Sequence, residues 1–399
     1  MTIAFFSNFL NHHQKLVADI IYNTPEVSYT FVETVPMYDW IKKGGYTDYS
    51  HESYVLRAWE SETNRQKAIE LAKSVDVAIF GGPEVLYLEV IRARNTDKLS
   101  FEVSERWLKK GWINLLSPHL LKSQWYYFTL FRHKNFFKLC SSSYGAADQY
   151  KLHSYINKCY KWGYFTEVDE NFDIEAYLDV STPEITTLMW CSRFLRWKHP
   201  ELPIIMAKGL KDKGYRFVLD MYGSGEKLEV SKSLVCELGL NEIVRFKGNM
   251  PNADILQQMR RHDIFLFTSD RREGWGAVAN ESMSNGCVLV GSSDIGSVPY
   301  LVKDGKTGMI FKSANKNTGF TGGSLKVDKE ALVSLTQKVE WLFNNPIERK
   351  KIAIRGYRNM REIWSPTNAA KNLLTLIDCL MRGKDTSIIE GPCSKAKPF

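Results

Sequence analysis

A chain of 399 residues, 44% hydrophobic and 25% charged, has globular proportions. It is too long for one core, so two domains are expected. Lys and Arg number 53 against 45 Asp and Glu, a net charge of +8 whose placement matters more than its size. No apolar run approaches the ~20 residues that cross a bilayer. Met1–Asn8 lacks the basic and long apolar regions of a signal peptide, so none is expected. The cysteines at 140, 159, 191, 236, 287, 379 and 393 are scattered and odd in number, with no C-x-x-C spacing. That pattern argues for small core residues in a reducing cytosol, not a disulfide framework or structural zinc.

In chain order, β-branched and aromatic runs predict strands at Thr2–Phe6, Ser28–Val32, Val75–Phe80 and Leu99–Val103. Helices are expected near His13–Tyr22, Glu52–Lys73 and Glu84–Arg94. From Arg106 to Ala147 there is no acidic residue. Seven cations (Arg106, Lys109, Lys110, Lys122, Arg132, Lys134, Lys138) interleave there with nine aromatic rings between Trp107 and Phe137. Rings and cations together suit a bilayer interface with anionic lipid; the alternative is a core of rings with exposed cations. Single-stranded nucleic acid uses similar residues, but nothing else in the chain supports it, and no nucleic-acid partner is expected.

Thr166 to Pro183 is acidic and irregular and reads as a linker. Beyond it strands are predicted at Glu184–Cys191, Tyr215–Met221, Ile243–Phe246, Asp263–Phe267 and Cys287–Val290. Helices are predicted near Leu202–Lys211, Glu226–Leu238, Asp254–Arg261 and Val278–Ser284. A surface loop at Ser313–Ser324 precedes helix Lys329–Asn344, and a final helix covers about Asn368–Met381. Alternating apolar strands and helices indicate α/β architecture with parallel sheets covered on both faces. The expected division is residues 1–167 and 184–365 as two Rossmann-like domains. Residues 366–382 form a helix crossing back to the first domain, and 383–399 a flexible tail.

Chemistry concentrates where strand Asp263–Phe267 runs into Glu273-Gly274-Trp275-Gly276 and on to Glu281. Ligands of open parallel sheets sit beyond the carboxyl ends of strands, where this loop must lie. Gly274 and Gly276 allow close backbone approach, and the helix they open offers N–H groups to anionic oxygens. Glu281 is expected about two turns into that helix. A carboxylate accepts two hydroxyl hydrogen bonds at once, so the two glutamates suit an elongated ligand with sugar or ribose diols.

The spacing Glu273…Glu281 resembles the E-x7-E motif of retaining glycosyltransferase family 4. Trp190-Cys-Ser-Arg193-Phe-Leu-Arg-Trp-Lys198 is similar to that family's G-R-x-x-x-x-K segment, with Ser192 in place of glycine. Tyr222-Gly223-Ser-Gly225 resembles its G-x-G turn, and Val244-Arg-Phe246-Lys247-Gly248 its V-x-F-x-G segment. Gly291–Pro299 and Asp304–Gly308 resemble its closing pieces. The likeness is strong over Glu184–Phe311 and loose before it.

The resemblance implies a GT-B fold, with two Rossmann-like domains facing across a cleft. It also implies transfer of a sugar from a UDP- or GDP-linked donor to an acceptor hydroxyl with retention. Arg193 and Lys198 would then bind the diphosphate, Glu281 the ribose diol and Glu273 the transferred sugar. The Phe246–Gly248 backbone would meet the base, and the Gly274–Gly276 backbone the sugar or diphosphate. Gly223 and Trp275 join this donor set. On the acceptor side the candidates are His13, at the first loop, and Ser104, Glu105, Arg106 and His119. A glycan acceptor on an undecaprenyl-type lipid, in bacterial surface polysaccharide synthesis at the cytoplasmic membrane face, fits the basic aromatic stretch.

No two aspartates stand two residues apart, so the D-x-D metal clamp is absent. No metal or cofactor is expected, the nucleotide-sugar being a substrate. Gly305-Lys306-Thr307 has Tyr300 where a phosphate-binding loop needs glycine, and no G-x-G-x-x-G follows the first strand. Phosphate-loop and hydride-transfer chemistry fall with them. A nucleotide-sugar epimerase and a non-catalytic nucleotide-sugar or membrane-binding protein are the competing readings.

Overall fold

The computed structural model describes residues 1–39, 41, 47–180, 185–321 and 324–398. The chain divides into one unit of Met1–Thr166 with Ile363–Phe399 and a second of Glu167–Glu362.

In the first unit the strands are β1 (Thr2–Ser7), β2 (Ser28–Glu33), β3 (Val55–Arg57), β4 (Val77–Gly81), β5 (Ser100–Ser104), β6 (Phe136–Cys140) and β7 (Cys159–Lys161). They form a seven-stranded sheet in the order β3-β2-β1-β4-β5-β6-β7, every pair parallel. The central strand β4 is buried along its whole length, as a strand with helices over both faces requires. The expected helix Glu52–Lys73 starts only at Glu62. Ser61 caps it by accepting from the Asn64 N–H, and Val55–Arg57 before the cap adds to the sheet edge. Val75, expected in a strand, ends this helix instead.

Helix Pro366–Met381 packs against helix His12–Tyr22 of the first unit. The tail expected to be flexible is ordered. Lys161 N–H donates to Ser394 O (2.8 Å), Cys393 N–H to Lys161 O (2.7 Å) and Ala396 N–H to Cys159 O (3.0 Å). The open edge of β7 presents unpaired backbone groups, and the small apolar Cys393 and Ala396 let the tail cover it closely.

In the second unit the strands are β8 (Thr186–Cys191), β9 (Phe217–Tyr222), β10 (Val244–Gly248), β11 (Ile264–Phe267), β12 (Val288–Ser292) and β13 (Met309–Phe311). Their order is β10-β9-β8-β11-β12-β13, again all parallel. Leu188, Trp190, Leu219, Met221, Ile264 and Val290 build its core. Much of the expected linker belongs to this unit: Arg260 pairs with Asp169 at 3.0 Å, Tyr357 Oη donates to Asp169 O, and Ile174–Val180 is helical. Residues 181–184 of the expected linker and strand lie outside the described residues. Helices Val278–Ser284 and Lys329–Asn344 stand where the periodicity places them. The Ser313–Ser324 loop carries a short antiparallel pair, Gly319–Thr321 with Ser324–Lys326.

Candidate active site

The loops after β8, β9 and β11 interlock at the carboxyl end of the second sheet. Gly223 has φ +121°, and a Cβ there would lie 2.0 Å from Ser192 O; one on Gly225 would lie 2.6 Å from Phe194 O. These glycines let the β9 turn cross the β8 loop, and Phe194 N–H donates to Ser224 O (2.8 Å) at the crossing. The crossing explains Gly223 without any ligand. Arg193, on the crossing loop, is exposed. Phe246 packs against Phe194, while Lys247 and Gly248 are exposed at a register slip in β10.

Lys198 ends a short 3-10 turn, Arg196–Lys198, and its Nζ hydrogen-bonds Glu273 of the loop after β11. Two residues 75 positions apart are thus in direct contact, both mostly shielded. The ammonium also lies 4.2 Å from the Trp197 ring centroid. Beside this pair His199 sits between Glu201 and Asp270. Although burial alone would lower its pKa, the Asp270 and Glu201 carboxylates raise it to about 9. Asp270 pays a burial cost of its own, yet His199 and Arg272 hold it down at about 2.

The helix after the loop starts at Val278, so Gly274–Ala277 is irregular and Glu281 lies in the first turn, not two turns in. Gly276 has φ +80°, and a Cβ there would meet the Phe267 ring at 2.3 Å. That close approach makes the loop turn before the helix begins. Burial pushes the Glu281 carboxyl up to about 7, partly offset by a hydrogen bond from the Asn252 amide. Trp275 was expected against the donor, but its side chain is wholly buried and donates to Asn280 Oδ1 (2.9 Å). It braces the loop, and only its backbone remains for a ligand.

In the first unit Ser104, Glu105, Arg106 and His119 line one cavity of about 490 Å³ at the carboxyl ends of β1, β4 and β5. Glu105 pairs with Lys109 and accepts from Tyr164 Oη (2.7 Å). Arg106 is buried, 3.4 Å from Asp148, with its guanidinium over the Tyr144 ring. His13 does not line the cavity. It stacks on Tyr164, and burial with His12 alongside lowers its pKa to about 3, so it stays neutral. Sequence reasoning overlooked Glu89 and counted Lys138 only among the cations of the basic aromatic stretch. Lys138 is fully buried, bonded to Glu102 (2.6 Å) and set 4.5 Å from the Trp107 ring centroid. Burial, reinforced by Glu102, raises Glu89 well above the carboxylate range, with Lys138 opposing. A sequence signal existed in these charged residues within otherwise apolar strands and helices.

The basic aromatic stretch divides. Trp107, Tyr127, Phe131 and Phe136 are core, and four of its cations are engaged by acids: Arg106, Lys109, Lys134 and Lys138. Trp112, Ile113, Leu116, Leu121 and Trp125 instead stand more than half exposed on the 3-10 turn Gly111–Leu116 and helix Pro118–Thr129. Lys110 and Lys122 are exposed on the same segments. Among the described residues no helix is long and apolar enough to cross a membrane, and no cluster of three or more His, Cys, Asp or Glu is placed to hold a metal ion.

Residues 182–319 match the family described as Glycosyl transferases group 1. Two parallel-sheet units, one carrying that domain, make the fold GT-B, and together they support a GT-B glycosyltransferase. The fold is similar to that of Anabaena HepE, crystallised with UDP and glucose: 13% identity, TM-score 0.62, covering 94% of this chain and 98% of that one. A Rickettsia africae glycosyltransferase is similar at 15% identity and TM-score 0.65, covering 96% and 99%. Sucrose-phosphate synthase of Thermosynechococcus elongatus is similar at 13% and 0.66, covering 96% and 100%. In sequence, 126 residues (32% of this chain) are 24% identical to the GtfA subunit of UDP-N-acetylglucosamine–peptide N-acetylglucosaminyltransferase of Streptococcus gordonii. That match spans 22% of the relative's length.

Proposed function

We propose that the chain is a retaining glycosyltransferase of family 4 type, moving a sugar from a nucleotide diphosphate to a glycan hydroxyl. The observation that carries this reading is the Lys198–Glu273 contact, with the buried Glu281 eight residues further along the chain, within the matched segment. Lys198 and Arg193 would neutralise the diphosphate as it leaves, Glu273 would orient the sugar hydroxyls, and Glu281 would accept from the ribose diol. The sugar–phosphate C–O bond breaks while the acceptor oxygen bonds the same face of the anomeric carbon. The acceptor's proton passes to the departing phosphate. Positioning and charge stabilisation would supply most of the rate, without a metal ion. UDP is favoured over GDP because UDP and its sugars occupy the similar HepE structures.

The cavity of the first unit would take the acceptor. Its carboxylates and aromatic rings suit a neutral polyhydroxyl ligand, the former accepting hydroxyls and the latter facing sugar C–H surfaces. An exposed apolar ridge with two lysines suits an acceptor anchored in an anionic bilayer, such as an undecaprenyl-linked glycan of a bacterial surface polysaccharide assembled at the cytoplasmic face.

A panel of UDP- and GDP-sugars, scored for transfer and hydrolysis with and without glycan acceptors, tests the reading. Acceptor-dependent product with unchanged anomeric configuration is expected. Donor isomerised without acceptor would mark an epimerase instead, and binding without turnover a non-catalytic protein.

A further inference from the structure

His199 has a left-handed backbone, φ +49° and ψ +55°, directly after Lys198. That conformation is uncommon outside glycine, and here it closes the 3-10 turn and aims the ring inward. The ring meets two carboxylates: Nδ1 lies 2.7 Å from Glu201 Oε1, and Nε2 lies 3.6 Å from Asp270 Oδ2, an ion-pair separation. All three side chains are shielded from water. A buried imidazole facing two carboxylates is favoured as the imidazolium, because their charges stabilise its own where water cannot. Other charges nearby are Arg272, bonded to Asp270, and Arg196 and Lys198 on the turn itself. On the hairpin side, a Cβ on Gly319 would lie 3.3 Å from Glu201 Oε1 and 3.4 Å from His199 Nδ1.

Backbone links run beside this bridge. Asp270 N–H donates to Trp197 O (3.0 Å), Thr268 Oγ to Lys198 O (2.6 Å) and Glu273 N–H to Asp270 O (3.0 Å). Lys198 and Glu273 are therefore the outward ends of one connected assembly, in which a charged bridge between turn and loop, besides their own contact, passes through His199.

We propose that His199 is a positioning residue: its bridge to Asp270 holds the Lys198 turn in register with the Glu273 loop, so that both reach a diphosphate sugar together. The proposal rests on the donor-site reading above and adds to it a residue that need not touch the ligand.

Two variants test it. His199→Gly suits the left-handed backbone and deletes the bridge, while Asp270→Asn keeps the shape and removes the charge. Hydrogen exchange over residues 268–276 should quicken in both, whatever the ligand. Turnover of UDP-glucose, or of whichever UDP-sugar the panel selects, should fall about tenfold in each and no further in the double variant, with UDP affinity changed less. The alkaline limb of the wild-type rate profile should move to lower pH in Asp270→Asn, a change that loss of packing alone would not produce. Lys198→Ala serves as reference. If it leaves UDP affinity intact, the donor-site reading fails, and exchange over 268–276 still decides the bridge. If it weakens UDP while His199→Gly shows wild-type exchange and turnover, or if the two variants add independently, the positioning role is overturned.

Discussion

Glu281 offers a test with a sign and a size. Burial lifts its carboxyl from an ordinary 4.5 to about 7. A ribose diol donates hydrogen bonds, so it selects the ionised carboxylate. About one-tenth of the molecules are ionised at pH 6 and about nine-tenths at pH 8, so donor affinity should rise roughly tenfold across that interval. By linkage, binding at pH 7 should release about half a proton per ligand. The intact nucleotide-sugar is the right probe, because its doubly esterified diphosphate has no proton to exchange near neutrality, whereas a terminal phosphate titrates near pH 6. Calorimetry in two buffers of different ionisation enthalpy counts the protons directly. Glu281→Gln should bind weakly, with no pH dependence. Stability follows the same carboxyl: the contribution is complete below about 4.5 and is lost as pH rises through about 7, on the order of 3 kcal/mol. Thermal melts of Glu281→Gln should therefore lack the wild-type decline between about pH 4.5 and 7. Affinity that is flat from pH 6 to 8, or a dependence that survives in Glu281→Gln, would refute the assignment.

Lys198→Ala should weaken donor binding by about 1.5–3 kcal/mol, the worth of a charge-assisted hydrogen bond, as read by titration calorimetry. Glu273→Ala should lower turnover more than affinity in steady-state kinetics; an unchanged turnover number in folded protein would remove it from the site. Chelator should leave transfer rates nearly intact, and a loss restored by manganese or magnesium would contradict the metal-free reading. Vesicle flotation tests the apolar ridge: wild type should float with anionic vesicles at low salt and less so near 1 M, where the Debye length is ~3 Å. Trp112→Ser with Trp125→Ser should abolish flotation and spare transfer to a short soluble acceptor. Lys109→Glu is the poorer probe, since Lys109 is held by Glu105.

Much of the fold is legible in the chain because its central strands are apolar on both faces. Such runs, separated by helical periods, admit few arrangements other than parallel sheets. β1, β4, β8, β11 and β12 are of this kind and stand within two residues of where the pattern puts them. The short outer strands β3, β7 and β13 are three residues each, too brief to show a period, and exist because a neighbour offers them an edge. The same holds for the tail: its composition reads as loose, and β7 orders it.

The motif resemblance rests on local spacing, so Glu273, Glu281, Arg193 and Lys198 could be proposed for a donor site from the sequence alone. Which of these groups meet could not. Contact between Lys198 and Glu273, the clamp on His199, and the burial of Trp275 each depend on loops brought together from separate strands. The cations of the aromatic stretch make the point most clearly. In sequence they stand without an acid from Arg106 to Ala147, yet Glu102, Glu105, Asp97 and Asp148, all outside that span, engage four of them. Hydrophobic periodicity is a property of neighbours along the chain, and it determined the sheets. Charge compensation and burial are properties of neighbours in space, so the electrostatic character of Glu281, His199 and Lys138 was decided only when the chain folded.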